Sequence, residues 1–337
     1  MADQGRYIAV VHYSSPRFVL LNHTTPGSVS RSATYLLPNT GRSVAFSPDG
    51  NYIAAGNSNT YPYFTLLDHT TPGSVSLATT YTAYGIVLGI AFSPDGNYIA
   101  IGASSRFTLL DHTTPGSVSL ATTYISTGDI ESVAFSPDGN YIAFAVYASP
   151  YFTLLDHTTP GSVSLATTYT LSYRGYGVAF APDGNYIAVA HDYSPYFVLL
   201  RHTTPGTVSK SATYTLAGTG YGVKFSPNGT YIAIAHNNTP YFTLLRRPTA
   251  GTLALSTTYV LSSGTGRAVD FSPDGNYIAV TNIKSPYFTL LDHTTPGSVS
   301  LATTYTLAGY GYGVSFMPSA GGGETEKNVA DSGTGTD

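Results

Sequence analysis

The sequence contains no cysteine and no tryptophan, and only 9 % of its 337 residues are charged. Without cysteine there is no disulfide framework, no thiolate nucleophile and no Cys-based zinc site, and the redox compartment leaves no trace in the chain. Charged residues make up roughly 25 % of ordinary soluble domains, so this surface must be wetted mainly by Thr, Ser, Asn and Tyr. The formal net charge is −4, and the 14 Lys and Arg are scattered from Arg6 to Lys327. No basic stripe can neutralise a row of phosphates, which argues against a nucleic-acid partner. No apolar run approaches the length of about 18 residues that spans a bilayer. The start, MADQGRYIAVVHYSS, carries acidic Asp3 and no apolar h-region, so neither a membrane segment nor a signal peptide is expected, and the location is left open. No segment reads as a helix, so no Gly-rich phosphate loop opens one. No cofactor is expected.

What is present is a repeat. Residues 177–218, GVAFAPDGNYIAVAHDYSPYFVLLRHTTPGTVSKSATYTLAG, hold four strand-like runs rich in β-branched and aromatic residues, each break marked by Gly or Pro. Four short antiparallel strands per repeat make a propeller blade. First-strand Phe recurs at 46, 92, 135, 180, 225, 271 and 316, and second-strand Tyr at 7, 52, 98, 141, 186, 231 and 277. Third-strand Phe stands at 18, 64, 107, 152, 197, 242 and 288, and fourth-strand Tyr at 35, 81, 124, 169, 214, 259 and 305. Seven copies of each strand predict an all-β, seven-bladed β-propeller.

The phase of the ends predicts how the ring closes. The first anchor is a second strand, Tyr7-Ile8-Ala9, and the last is an orphan first strand, Gly313 to Phe316. Pairing the two completes a blade from 6–36 plus 313–317 and removes an open sheet edge. The whole of 1–318 then reads as one domain, with a polar, Gly-rich and disordered tail at 319–337. In the fourth strand, alternation predicts Val163, Leu165, Thr167 and Tyr169 on one face and Ser164, Ala166 and Thr168 on the other.

The strings FSPDGNYIA and FTLLDHTTPG resemble the WD-repeat family, whose blades read VAFSPDG, LASGS, IRLWD and TG in the same order. The likeness covers residues 6–317. It departs from the family in having no Trp, no Gly-His pair opening the repeats, and Ser or Thr before Pro (Ser149, Ser194, Thr239, Ser285) where the family places a structural Asp. Tyr and Leu packing is expected to replace the family's hydrogen-bonded tetrad. The pattern AH-x-x-SPY at Ala190-His191, with Thr239 in place of Ser in the copy at Ala235-His236, is similar to propellers encoded by bacteriophage and prophage genomes, which implies a virion-associated role.

Connectivity assigns the SPDG and HTTPG turns to one face and the second-to-third turns and inter-blade links to the other. The first face is nearly identical in every copy; DHTTPGSVSLATTY recurs unchanged at 68–81, 111–124, 156–169 and 292–305. Its Asp-His pairs point to separate places around a ring, so they read as turn formers and not as a catalytic centre. Asp49, Asp95, Asp138, Asp183 and Asp274 stand where a hairpin wants Asp-Gly.

The second face varies, and it supplies the binding candidates: Tyr84, Tyr147, Tyr176, Tyr193, Tyr221, Tyr310 and Tyr312, with Arg174, Arg267 and Lys284 among them. Tyr and Arg are frequent interface anchors; equally, Tyr is this chain's general filler, at 29 copies. His12, His191 and His236 occupy equivalent rungs of blades one, five and six, with Asn282 in blade seven. They are candidates for the same face, with strand-end hydrogen bonding preferred to metal binding. Asp129 and Glu131 form the one acidic cluster in a variable loop and are read as facing different ways, which argues against paired-carboxylate catalysis. The resulting expectation is a non-enzymatic scaffold, virion-associated, docking a protein or larger assembly through the Tyr-rich face. A glycan- or receptor-binding lectin is the alternative and a propeller hydrolase a distant third; no catalytic residue and no metal ligand is assigned.

Overall fold

The computed structural model describes residues 6–249, 251–261 and 264–319. The predicted tail therefore lies, from residue 320 onward, outside the described residues. The described chain folds into seven four-stranded antiparallel sheets with no helix. Blade one joins the last strand, Gly311–Phe316, to the first three, Tyr7–His12, Arg17–Asn22 and Ser30–Leu36. Its closing register pairs Ile8 with Phe316, Val10 with Val314 and Val11 with Gly313. Blades two to seven follow in chain order, each running from the channel outward. The expectation of a seven-bladed ring closed by its two ends is met.

Hydrophobic burial lies between blades more than within them. Second strands are buried along their whole length, as in Tyr141–Val146, and third strands through their central four residues, as in Tyr151–Asp156. One cluster packs Ala9, Val11, Phe18 and Leu20 of blade one against Val44, Phe46, Ile53 and Leu67 of blade two. Each blade is thus apolar on both faces, as strands covered on both sides require.

The repeated turns do what their residues predict, and one does more. Asp49 accepts from Ser47 Oγ at 2.6 Å and from the Asn51 amide at 3.0 Å, and Gly50 takes φ 75°. Asp68 accepts from the Thr70 amide and hydroxyl at 2.8 and 2.6 Å. Those bonds hold its carboxyl below the usual carboxylate range. The neighbouring histidine, read from sequence as part of a turn, clamps blades together. In blade four, His157 Nδ1 donates to the Gly139 carbonyl at 2.9 Å, while its ring stands edge-on to Tyr98 of blade three, with centroids 5.1 Å apart. His69, His112, His202 and His293 repeat this arrangement. Blade six substitutes Arg247, which lies 5.0 Å over the Tyr186 ring and pairs with Asp183 at 3.0 Å.

The fourth strand departs from simple alternation. Leu154 pairs with Thr167 and Leu155 with Leu165, so Ala166 is an extra residue in a β-bulge. The face therefore switches within the strand: Leu165 is 51 % exposed while Val163 and Tyr169 remain half-buried.

Candidate functional site

The innermost strands are Gly41–Phe46, Gly89–Phe92, Ile130–Phe135, Gly175–Phe180, Gly220–Phe225, Gly266–Phe271 and Gly311–Phe316. They surround a central cavity of about 820 Å³. Six of the seven carry a β-bulge at the same place. Gly41 pairs with Asn57 and Ser43 with Gly56, leaving Arg42 unpaired; the same skip leaves Glu131, Tyr176, Tyr221, Arg267 and Tyr312 out of the ladder. A bulge bends its strand and re-aims the extra side chain, and here all six line the cavity, joined by Leu88 in the unbulged blade. The bend needs close approach of the backbone: a Cβ on Gly175 would lie 2.6 Å from the Tyr151 carbonyl oxygen.

This mouth, on the variable face, is chemically asymmetric. Around one side runs a stacked arc. The Tyr176 and Tyr221 centroids are 4.9 Å apart, Arg267 lies 4.5 Å over the Tyr221 ring, and Arg42 lies 4.4 Å over Tyr312. Across the ring from Arg267, and one blade past Leu88 from Arg42, stands Glu131. Burial, then the charge of Asp129, pushes its carboxyl up to about 7, against the downward pull of Arg42, Arg267 and Arg174. Tyr176, beside it, is raised by burial and hydrogen-bonded by Arg174, so its phenol stays protonated.

Deeper in the channel the residue before the last Phe of each innermost strand is Ala45, Ala91, Ala134 or Ala179 in four blades, but Lys224, Asp270 and Ser315 in the other three. Lys224 Nζ lies 3.7 Å from Asp270 Oδ1, and Asp270 Oδ2 accepts from the Phe316 amide at 2.7 Å, tying blade seven to the closing strand. Burial raises the Asp270 carboxyl. The opposite mouth is a ring of seven prolines from the SPDG-type turns, Pro48 to Pro318.

The structure brings together Tyr176, Tyr221, Tyr312 and Arg267 of the sequence candidates. Arg174 flanks them, 4.0 Å over the Tyr147 ring. Tyr84 lies farther out with Arg106 at 3.9 Å, Tyr310 leans on Tyr13 and Tyr287, and Tyr193 is 68 % exposed. His12, His191 and His236 end the second strands of their blades and are buried, not displayed. His236 Nε2 meets Thr243 Oγ1 at 3.0 Å and His191 Nδ1 the Asp192 carbonyl at 3.0 Å, while His12 has no hydrogen-bond partner among the described residues. Burial pushes His12 and His236 down to about 4, Arg17 adding to the effect on His12. Among the described residues no three His, Cys, Asp or Glu groups are placed to hold a metal, and no helix is long and apolar enough to cross a membrane.

Sequence reasoning missed Arg42 and set Glu131 aside. The signal lies in the repeat itself: the residue four before the last Phe of the innermost strand reads Arg42, Leu88, Glu131, Tyr176, Tyr221, Arg267 and Tyr312, changing between copies while the residues after it hold their pattern.

Comparison with known proteins bears out the WD likeness. The model of the WD domain, G-beta repeat, matches residues 39–61 and 75–113, and the chain is a seven-bladed propeller with WD-like repeats. Such repeats commonly mediate protein interactions. No curated protein matches the sequence. Among solved structures, the periplasmic gluconolactonase PpgL of Pseudomonas aeruginosa superposes with a TM-score of 0.79 at 16 % identity, covering 92 % of this chain and 98 % of its own. A 6-phosphogluconolactonase-like protein of Bacteroides uniformis gives 0.81 at 16 % over 92 % and 98 %, and another from Bacteroides fragilis 0.80 at 13 % over 92 % and 97 %. At these identities the likeness is one of fold.

These matches correct the expectation of a non-enzymatic scaffold. The same ring, over nearly its full length, is that of proteins named as lactonases. The sequence argument against catalysis set Glu131 aside, whereas the bulge turns it into the mouth it shares with Arg42 and Arg267. The virion-associated and bacteriophage assignment falls with it.

Proposed function

We propose that this chain is a lactone hydrolase, acting on a sugar-type cyclic ester at the variable mouth of the channel, with the propeller of residues 1–318 as a single domain. The observation that carries this reading is Glu131, a carboxylate desolvated to about 7 in a cavity mouth it shares with Tyr176, Tyr221, Tyr312, Arg42 and Arg267. A general base works best with a pKa near the working pH. The fold it shares with gluconolactonase and 6-phosphogluconolactonase-like propellers supports the same class of substrate.

The chemistry follows from position. Glu131 takes a proton from a water whose oxygen bonds to the lactone carbonyl carbon. The carbonyl oxygen receives the displaced electron pair and meets the Tyr176 hydroxyl, which the Arg174 guanidinium polarises. When the tetrahedral adduct collapses, the ring C–O bond breaks and Glu131 returns its proton to the departing alkoxide. Tyr221, Tyr312 and Arg267 form the wall of the substrate site, and Tyr84, Tyr147, Tyr193 and Tyr310 its outer rim.

The test is the initial rate of glucono-δ-lactone hydrolysis, corrected for the uncatalysed reaction, in the wild type and Glu131→Gln. The variant is expected to lose about 10²–10⁴-fold in rate, the usual share of a general base. The wild-type rate is expected to rise with pH through about 7, as Glu131 loses its proton. A Glu131→Gln protein as active as the wild type contradicts the assignment.

A further inference from the structure

The face around the proline mouth repeats its turns in every blade but not its charge. The last residue of the third strand is Asp68, Asp111, Asp156 or Asp292 in blades two, three, four and seven, and Arg201 or Arg246 in blades five and six. Exposed Asp49, Asp95, Asp138 and Asp274 of the SPDG turns add a second negative charge to the same four blades. Both charges sit at one end of the blade, since His69, next to Asp68, reaches the Gly50 carbonyl of that turn at 2.9 Å. In blade five, Asp183 is taken up by Arg247 at 3.0 Å, and Lys210 is exposed where blade four has Leu165. Blade one carries Arg31 at that position and Asn22 in place of the strand-end aspartate. On this face blades two, three, four and seven are anionic and blades five, six and one cationic, around a centre of seven prolines.

Two such rings laid face to face run in opposite senses, so one blade pair fixes all the others, and an odd number of blades leaves one over its own copy. One rotation sets blade five over three, six over two and one over seven, with opposite charge in every pair, and blade four over itself. No other rotation opposes charge in more than two of its pairs. We infer that this face docks a second copy of the chain about a two-fold axis through blade four. The prolines form the apolar centre of the contact and the charges its rim. Arg201 faces Asp111 and Arg246 faces Asp68, each pair occurring twice, while Asp138 and Asp156 meet their own copies. Complementary charge fixes the register of such a contact more than its strength. The variable mouths stay open at the two outer ends of the dimer, so the inference stands apart from the hydrolase reading.

The experiment is sedimentation equilibrium of the full chain, whose single-chain mass is 35.5 kDa. At low salt the wild type is expected at twice that mass. Its dissociation constant is expected to rise about tenfold or more in roughly 1 M salt, where charges are screened beyond about 3 Å. Arg201→Asp with Arg246→Asp, and Asp68→Arg with Asp111→Arg, are each expected to be monomeric. An equimolar mixture of the two double variants is expected to recover the dimer, because each restores the pairs the other has lost. Arginine is native to this turn, where Arg201 Nε donates to Thr203 Oγ1 at 3.1 Å. Asp156→Asn is expected to tighten the dimer by relieving like charge on the axis; the turn survives, since Asn22 accepts from the Thr24 amide at 2.8 Å in the same way. A monomeric wild type, a dimer unmoved by salt and charge reversal, double variants that stay monomeric when mixed, or a dimer weakened by Asp156→Asn overturns the inference.

Discussion

The buried histidines make the protein's acid response a property of single residues. His12 and His236 are fully buried, and burial lowers both from an ordinary 6.5 to about 4. Between those values the unfolded chain holds a proton on each that the folded chain refuses, so unfolding takes up protons and stability falls as pH drops from 6.5 toward 4. The contribution is complete above pH 6.5. Its loss is on the order of 1–3 kcal/mol per histidine, at about 1.4 kcal/mol per pH unit. The repeat offers its own replacement, since Asn57 and Asn282 occupy the same rung in blades two and seven and are buried there. His236→Asn is therefore expected to unfold in denaturant with a smaller difference between pH 7 and pH 4.5 than the wild type. An unchanged difference would show that His236 is not among the groups that take up protons.

At the scale of the element, the closing strand is the part whose role sequence and structure agree on most fully. Gly311–Phe316 supplies the innermost strand of blade one and contributes Tyr312 to the mouth. Deleting residues 311–337 removes that strand, exposes the edge of Tyr7–His12 and leaves Asp270 without its Phe316 partner. Deleting 320–337 leaves every described residue of the ring in place. The first truncation is expected to melt well below the full chain and the second close to it. Equal melting temperatures for the two would contradict closure by this strand.

Strand order, number and closure are legible in the sequence because seven recurring Phe, Tyr, Gly and Pro positions repeat the same information. The bulges are less so. Nothing in Gly-Arg-Ser-Val-Ala-Phe announces that Arg42 drops out of the ladder, and an unbulged reading places the residues about it on the wrong rung. Asp129 and Glu131 show the consequence. They read from sequence as facing different ways at a strand entry, which says nothing of the channel, and the bulge turns a half-buried Glu131 into it while Asp129 stays exposed. The histidines of the DHTTPG turns fail for a related reason: their partners, such as Tyr98 for His157, belong to the preceding blade.

For the whole molecule, near-identical repeats build a symmetric ring, and function depends on where that symmetry breaks. The prolines of the opposite mouth keep the repeat, while the bulged position of the innermost strands abandons it, setting one carboxylate against two arginines and three tyrosines around a single opening. The account's central claim is that this opening is the site of chemistry. It is tested most directly by determining the structure with gluconate, the ring-opened product, bound at saturation. The account predicts gluconate in the variable mouth, its carboxylate beside Glu131 and within hydrogen-bonding reach of the Tyr176 hydroxyl. Gluconate at the proline mouth, along the outer strands, or absent from the channel would contradict it.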